Sequence, residues 1–192
     1  KGREPKLWGP YTEESSFHEL FVLFGYLAAC TSRVGLASGV LIMHKRQTVL
    51  VAKQAAEVDI LSGGRLRLGV GTGWNYVEYD SLNENFTNRG RRQIEQVELL
   101  RRLWQEPIVS YEGEYHRVER AGLKPLPTRQ IPIWFGGFSD LVFNRAAAIG
   151  DCFIFGSGQK ENLEAMELLQ GHLEAYGRDT NEFGIEALLN YQ

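Results

Sequence analysis

Thirteen consecutive residues, Gly63-Gly64-Arg65-Leu66-Arg67-Leu68-Gly69-Val70-Gly71-Thr72-Gly73-Trp74-Asn75, limit the folds open to this chain more than any other stretch. They compress a helix stop, a buried strand and a glycine-opened loop. Ser62-Gly63-Gly64 closes a helix, because glycine takes the left-handed conformation at little steric cost. Leu66, Leu68 and Val70 then alternate with Arg67 and Gly69, a period of two that gives a strand an inner and an outer face. Gly69, Gly71 and Gly73 remove side chains from one side of that strand and its exit. Two readings follow. The glycines let backbone N–H groups approach a phosphate or a flat ring closely, with a ligand over the strand end, or they mark a bulge and tight packing.

The remainder of the chain agrees with a folded, ligand-binding protein. A composition of 43% hydrophobic and 23% charged residues over 192 positions is enough for a sizeable core, read here as one domain over residues 1–192. Twenty-four acidic against 21 basic residues leave a net charge of -3, so nothing favours nucleic acid or an anionic membrane. A small molecule is the expected partner. Cys30 and Cys152 are far apart, without metal-like spacing, and are expected to be buried, inert thiols in a cytoplasmic protein. No apolar run approaches the ~20 residues of a membrane helix, and Lys1-Gly2-Arg3-Glu4-Pro5 is no signal peptide. The lack of an initiator methionine suggests part of a longer chain.

In chain order, Thr12 or Ser16 is expected to cap a helix running to about Cys30, with Phe17, Leu20, Phe21, Phe24 and Leu27 or Ala28 as a core or subunit-interface stripe. His18 beside it reads as structural. Arg33 to Ile42 is a short apolar run, expected to be a central parallel strand covered on both faces. Helix returns from about Gln47 to Leu61, burying Val51, Ala55 and Val58 while Lys53 and Glu57 face water. After the opening motif, Tyr76 to Asn88 reads as a polar loop. Arg89 to Gln105 is a helix with Ile94, Val97, Leu100 and Trp104 inward and a surface Glu98–Arg102 pair. Pro107 ends it. Val109 to Val118 forms a hairpin about Glu112-Gly113, with His116 facing solvent. Ile131 to Phe135 is a strand closed by Gly136-Gly137, a helix follows from Asp140 to Ile149, and Cys152 to Phe155 is a strand before Gly156-Ser157-Gly158. A helix from Glu161 to Tyr176 and a strand from Gly184 to Asn190 complete the order.

About five helix and strand alternations with short connections signal an α/β fold with a parallel sheet. A doubly wound sheet would carry G-x-G-x-x-G, yet Trp74 stands where the third glycine belongs, and no G-x-x-x-x-G-K-[ST] exists. In a (β/α)8 TIM barrel, successive strands deliver ligand-facing loops to one C-terminal rim. Strand ends at Gly71, Gly136 and Gly156 fit that arrangement.

Ser62 to Asn75, Arg89-Gly90-x-Arg92-x-x-Glu95 through Leu103-Trp104, Val109-x-Tyr111-x-Gly113-x-Tyr115 and Pro132-Ile133-Trp134-Phe135-Gly136-Gly137 together resemble the luciferase-like monooxygenase family, in particular its deazaflavin-dependent branch. The resemblance implies a (β/α)8 barrel whose first strands and C-terminal end lie outside this sequence. It further implies a homodimer and a site for FMN or deazaflavin coenzyme F420 at the rim. Carried over by residue, a bulged, often cis, non-proline peptide would fall at Gly39-Val40 behind the ring. Thr72 and Gly73 would lie beside the ring. Gly136 and Gly137 would donate to the cofactor phosphate at the start of the following helix, and Ser157 and Gly158 would extend that site. Some sugar-phosphate dehydrogenases of the family place a glutamate acid directly after the Thr-Gly pair, where this chain has Trp74. His44 stands where the family often has proline, as a pocket residue or a tolerated surface change. Arg89 would stabilise the rim loop or touch a phosphate, the first being favoured.

The implied activity is flavin-type redox chemistry on a small organic substrate, with Trp74, Asn75 and Tyr76 as the expected contacts and no general base assigned. A deazaflavin would support hydride transfer; reduced FMN, supplied by a separate flavin reductase, would support monooxygenation. Two alternatives stay open: a catalytically silent flavin-binding homologue acting as a binding protein, and a phosphate-binding barrel enzyme without flavin.

Overall fold

Alternate residues of a strand point to opposite faces, and the molecule is arranged on that division. The structure is a computed structural model describing residues 6–7, 9, 11–12, 14–156 and 159–188. Its elements run α1 (Leu20–Cys30), β1 (Leu36–Ala37), β2 (Leu41–Ile42), a 3-10 turn (Met43–Lys45), α2 (Thr48–Leu61), β3 (Leu66–Gly71), α3 (Tyr76–Ser81) and α4 (Arg89–Gln105). Then come β4 (Val109–Glu112), β5 (Arg117–Ala121), β6 (Ile133–Gly136), α5 (Asp140–Ile149), β7 (Cys152–Phe155), α6 (Gln159–Ala175) and β8 (Gly184–Ala187). The main sheet is parallel in the order β1-β3-β6-β7-β8, with β2 also beside β3, while β4 and β5 form a separate antiparallel hairpin.

Leu66, Leu68, Val70, Ile133, Phe135, Phe153 and Phe155 are buried on the helix side of the sheet. Phe143 of α5 packs there, its ring centroid 5.2 Å from Phe153 and 6.4 Å from Phe155. Each such side chain contributes roughly 1.5–3 kcal/mol by leaving water. The helices contact one another in succession along this side, and the Trp104 indole N–H of α4 donates to the Ala52 carbonyl of α2 at 2.9 Å. The opposite face carries Arg67, Gly69, Gly71, Trp134, Gly136, Cys152 and Ile154, and the sheet curls around it. Although β6 and β7 separate β3 from β8, Arg67 is ion-paired with Glu186, and a Cβ on Gly39 would lie 3.5 Å from Leu188. A curled parallel sheet with helices outside is the arrangement of a (β/α)8 barrel, not of a doubly wound sheet, which is covered by helices on both faces.

Several expectations need correction. Helix α1 starts at Leu20, because the Glu19 carboxylate, rather than Thr12 or Ser16, accepts the Val22 N–H at 2.8 Å. Phe17 therefore lies before the helix and is exposed, packed edge-on against Tyr11. The Arg33–Ile42 run is two short strands at the sheet edge, since it pairs with β3 alone. Residues 76–81 form a helix instead of continuous loop: the Asn75 side chain accepts the Val77 N–H at 3.1 Å. Ile94 faces outward. Arg102 pairs with Glu106, leaving Glu98 to accept the Tyr111 hydroxyl. Lys53 and Glu57 pair with each other and are only half exposed. Cys30 is exposed, since it is the last residue of α1, and Cys152 is half-buried, with burial pushing its thiol up to about 11.

Candidate functional site

The C-terminal ends of β2, β3, β6 and β7 open on one rim. Between β1 and β2 the chain breaks at Ser38-Gly39-Val40, with a cis peptide bond joining Gly39 to Val40. This bulge presses onto β3. The Ser38 hydroxyl donates to the Gly69 carbonyl at 2.9 Å, and a Cβ on Gly69 would overlap the Ser38 carbonyl oxygen. The Val40 isopropyl group sits between two further glycines: a Cβ on Gly71 would lie 2.5 Å from Cγ2, and one on Gly136 would lie 2.7 Å from Cγ1. Of the two readings of the glycine series, tight packing around a bulge holds for Gly69 and Gly71. What the rim presents is Gly39, exposed, and Val40, half-buried.

Thr72 and Gly73 follow at the end of β3. Gly73 adopts φ 68°, the left-handed region that favours glycine, and turns the chain towards α3. The Thr72 carbonyl accepts the hydroxyl of Tyr79, a fully buried ring of α3. Burial pushes that hydroxyl up to about 12, so it acts as a donor and not as an acid near neutrality. Trp74 is 39% exposed. Asn75 is committed to capping α3, and Tyr76 is half-buried against Phe86 at 6.5 Å.

His44 is not a surface residue. It has no exposed area, and its Nε2 meets the Arg89 carbonyl at 2.5 Å, which requires the proton on that nitrogen. Nδ1 is buried and has no hydrogen-bond partner among the described residues. Burial pulls the imidazole down to about 4, reinforced by Arg92, Arg145 and Arg89 nearby, so the ring is neutral at pH 7. Of the two roles expected for Arg89, its contacts are those of a loop stabiliser: it donates to the Phe86 carbonyl at 2.8 Å and its guanidinium lies 3.8 Å from the Phe86 ring centroid.

At β6, Gly136 is buried and Gly137 stands at φ 156°, with Phe138 and the N-cap Ser139 between it and α5. The first N–H groups of that helix have no intrahelical acceptor and face an anion favourably. The Asp140 carboxylate, which would oppose an anion there, accepts from His172 Nε2 at 2.7 Å. Ser157 and Gly158 lie outside the described residues. Thus Gly39, Val40, Thr72, Gly73, Gly136 and Gly137 come together at one end of the sheet, on three neighbouring strand ends, while His44 lies beneath the surface.

One polar cluster escaped the sequence reading. His116 does not face solvent: Nδ1 meets Glu95 Oε1 at 2.7 Å and Nε2 meets Thr48 Oγ1 at 2.8 Å. The Glu95 carboxylate also accepts the Glu114 and Tyr115 N–H groups, and Gln96 donates to Thr48 Oγ1 at 3.0 Å. This chain of hydrogen bonds fastens the β4–β5 hairpin to α2 and α4. Its signal in the sequence was a lone acidic residue, Glu95, between the buried Gln93 and Gln96 of α4.

Comparison with known proteins agrees with this architecture. The family model described as luciferase-like monooxygenase matches residues 6–190. An F420-dependent glucose-6-phosphate dehydrogenase of Segniliparus rotundus is 35% identical over 178 residues, covering 86% of this chain and 51% of that protein. An FMNH(2)-dependent dimethylsulfone monooxygenase of Pseudomonas fluorescens is 28% identical over 151 residues, covering 77% and 41% respectively. A solved F420-dependent secondary alcohol dehydrogenase, in complex with an F420-acetone adduct, superposes with a TM-score of 0.83 at 19% identity, over 93% of this chain and 56% of that one. The chain spans about half the length of these relatives. By the match across nearly all of its residues, the chain belongs to the luciferase-like monooxygenase family.

Proposed function

We propose that this chain, as one barrel domain, is part of an oxidoreductase that holds reduced FMN or deazaflavin coenzyme F420 at the rim and acts on a small organic substrate. The observation that carries the reading is the bulge at Ser38–Val40, built into the sheet by Gly69, Gly71 and Gly136 and exposing Gly39 at the strand ends. Three side-chain-free positions on two strands are a large concession to one bulge, and such devices cluster at ligand sites. Gly39 and Val40 would back the ring, Thr72 and Gly73 would flank it, and Gly136, Gly137, Ser157 and Gly158 would hold the phosphate. The bound group supplies the redox chemistry, as hydride transfer for a deazaflavin or oxygen activation for reduced FMN.

The chain's own residues position and exclude. The hydroxyl of Tyr79 fixes the Thr72 carbonyl, and an ion pair between Lys45 and Glu78 ties the turn after β2 to α3. Both hold the Thr72–Tyr76 loop against the rim. His44, neutral and immobilised, supports the same loop: its ring centroid stacks 6.0 Å from that of Tyr79. Trp74 and Tyr76 would contact the substrate. The functional unit is a cytoplasmic homodimer in this reading, with a separate flavin reductase if FMN is the cofactor.

Titrating the full-length protein in parallel with FMN and with the deazaflavin, and comparing dissociation constants by ligand fluorescence, tests the proposal. Preferential deazaflavin binding supports hydride transfer, preferential FMN binding supports monooxygenation, and no binding to folded protein by either sinks the flavin reading. Steady turnover with a reduced cofactor rejects a silent homologue.

A further inference from the structure

We infer that Val40 is a positioning residue that sets the spacing between the two ends of the cofactor site, the ring-backing bulge and the phosphate side at the end of β6; the inference rests on the flavin-site reading above. Its isopropyl group stands where two neighbouring strands carry no side chain. Cγ2 lies 2.5 Å from a Cβ built on Gly71, the last residue of β3, and Cγ1 lies 2.7 Å from one on Gly136, the last residue of β6. Both distances fall well inside the roughly 3.5–4.0 Å of a carbon–carbon contact, so one branched side chain occupies volume that both glycines leave. A Cβ on Gly71 would also lie 3.4 Å from the Gly136 carbonyl oxygen. The two strand ends are therefore neighbours, and Val40 touches both.

The bulge has no slack around this strut. On one side of Val40, the Ser38 carbonyl fills the place of a Gly69 side chain, and the Ser38 hydroxyl is held by the Gly69 carbonyl at 2.9 Å. Ile154 of β7 closes the same floor, its Cδ1 3.0 Å from a Cβ on Gly69. On the other side, Ile42 lies 3.5 Å from a Cβ on Gly71 and 3.1 Å from one on Gly73, beneath the loop placed beside the ring. Gly69, Gly71 and Gly136 are buried and Val40 is half-buried, so the described strands themselves enclose these contacts.

Groups packed this closely cannot shift singly. A ring and a phosphate joined in one molecule reinforce each other only where both subsites are met at once, which makes the phosphate's contribution depend on the distance between them. Val40 fixes that distance, because it bears on the bulge through its own backbone and on the end of β6, which leads to Gly137 and α5, through its methyl groups. A shorter side chain lets the bulge settle towards the sheet, and a longer one drives the bulge and the strand end apart.

The test uses full-length protein and equilibrium dialysis with two ligand pairs: FMN with riboflavin, and the deazaflavin coenzyme with its chromophore lacking the phosphate side chain. In the pair that the wild-type protein accepts, the ratio of the two Kd values measures the phosphate's contribution. Val40→Ala and Val40→Ile are each expected to reduce that ratio by about tenfold, while Val40→Thr, which keeps the branched shape, holds it within about twofold of wild type. Urea midpoints establish which variants fold. An unchanged ratio in folded Val40→Ala or Val40→Ile overturns the inference even where both ligands bind more weakly, since that is general loosening. So does a tenfold fall in Val40→Thr, or a wild-type ratio near one. The two failures are distinguishable: if the wild-type protein binds neither phosphorylated cofactor, the flavin reading fails and this inference with it, whereas tight binding with a ratio insensitive to Val40 defeats this inference alone.

Discussion

The two faces of the sheet are built by opposite rules. On the helix side, Leu68, Ile133, Phe135 and Phe153 fill space and are wholly buried. On the inner side, Gly69, Gly71 and Gly136 give up volume so that Ser38 and Val40 can press in. The first face stabilises by occupying volume, the second by vacating it. A position can therefore be intolerant of substitution for opposite reasons within two residues of one strand.

The sharpest way to break the contrast is to empty the helix side. Phe153 packs at 4.7 Å from Phe155 and 5.2 Å from Phe143, so Phe153→Ala should cost about 3–5 kcal/mol in urea unfolding of the full-length protein. On the inner side the destabilising change is an addition. Gly69→Ala should cost about 3 kcal/mol, because the added methyl meets backbone, the Ser38 carbonyl, which cannot rotate away. If Gly69→Ala unfolds at the wild-type midpoint, the packing account of the glycines fails.

A third prediction concerns the rim. His44 is pulled to about 4 in the folded protein against an ordinary value near 6.5. The unfolded chain therefore takes up a proton first as pH falls, and the contribution from neutral His44 is full above about 6.5 and lost towards 4. The loss should approach about 3 kcal/mol, and His44→Gln should remove that part of the pH dependence. An unaltered slope in the variant would mean that His44 is not the titrating group. Smallest is the cap of α3: Asn75→Ala should cost about 1 kcal/mol, read as faster hydrogen exchange at Val77 with little change in the global midpoint.

This contrast also explains what the sequence disclosed. The helix side was legible because strict alternation leaves a period of two, and the bounds of α4 were legible because Pro107 and an amphipathic stripe mark them. The position of the bulge followed from resemblance rather than from periodicity, since Ser38-Gly39-Val40 breaks the strand pattern instead of making one. Capping choices were harder to read. Glu19, Thr12 and Ser16 all carry an oxygen able to accept an amide, and the local sequence does not say that Glu19 is the one that caps the helix. His116 illustrates a further limit, because its partners Glu95 and Thr48 are 21 and 68 residues away. Isolated polar residues in a hairpin carry no mark of partners so distant.

The fastening of that hairpin has a consequence for how the protein can be altered. One carboxylate, on Glu95, receives the backbone of residues 114 and 115 and the ring of His116. Two of those three anchors are main-chain groups, indifferent to side-chain identity. A replacement hairpin would therefore need an imidazole at 116, a glycine at 113, where a Cβ would lie 2.4 Å from the Glu95 carboxyl carbon, and apolar residues at the buried positions 109 and 118, while the outward residues at 117 and 119 remain free to be rewritten.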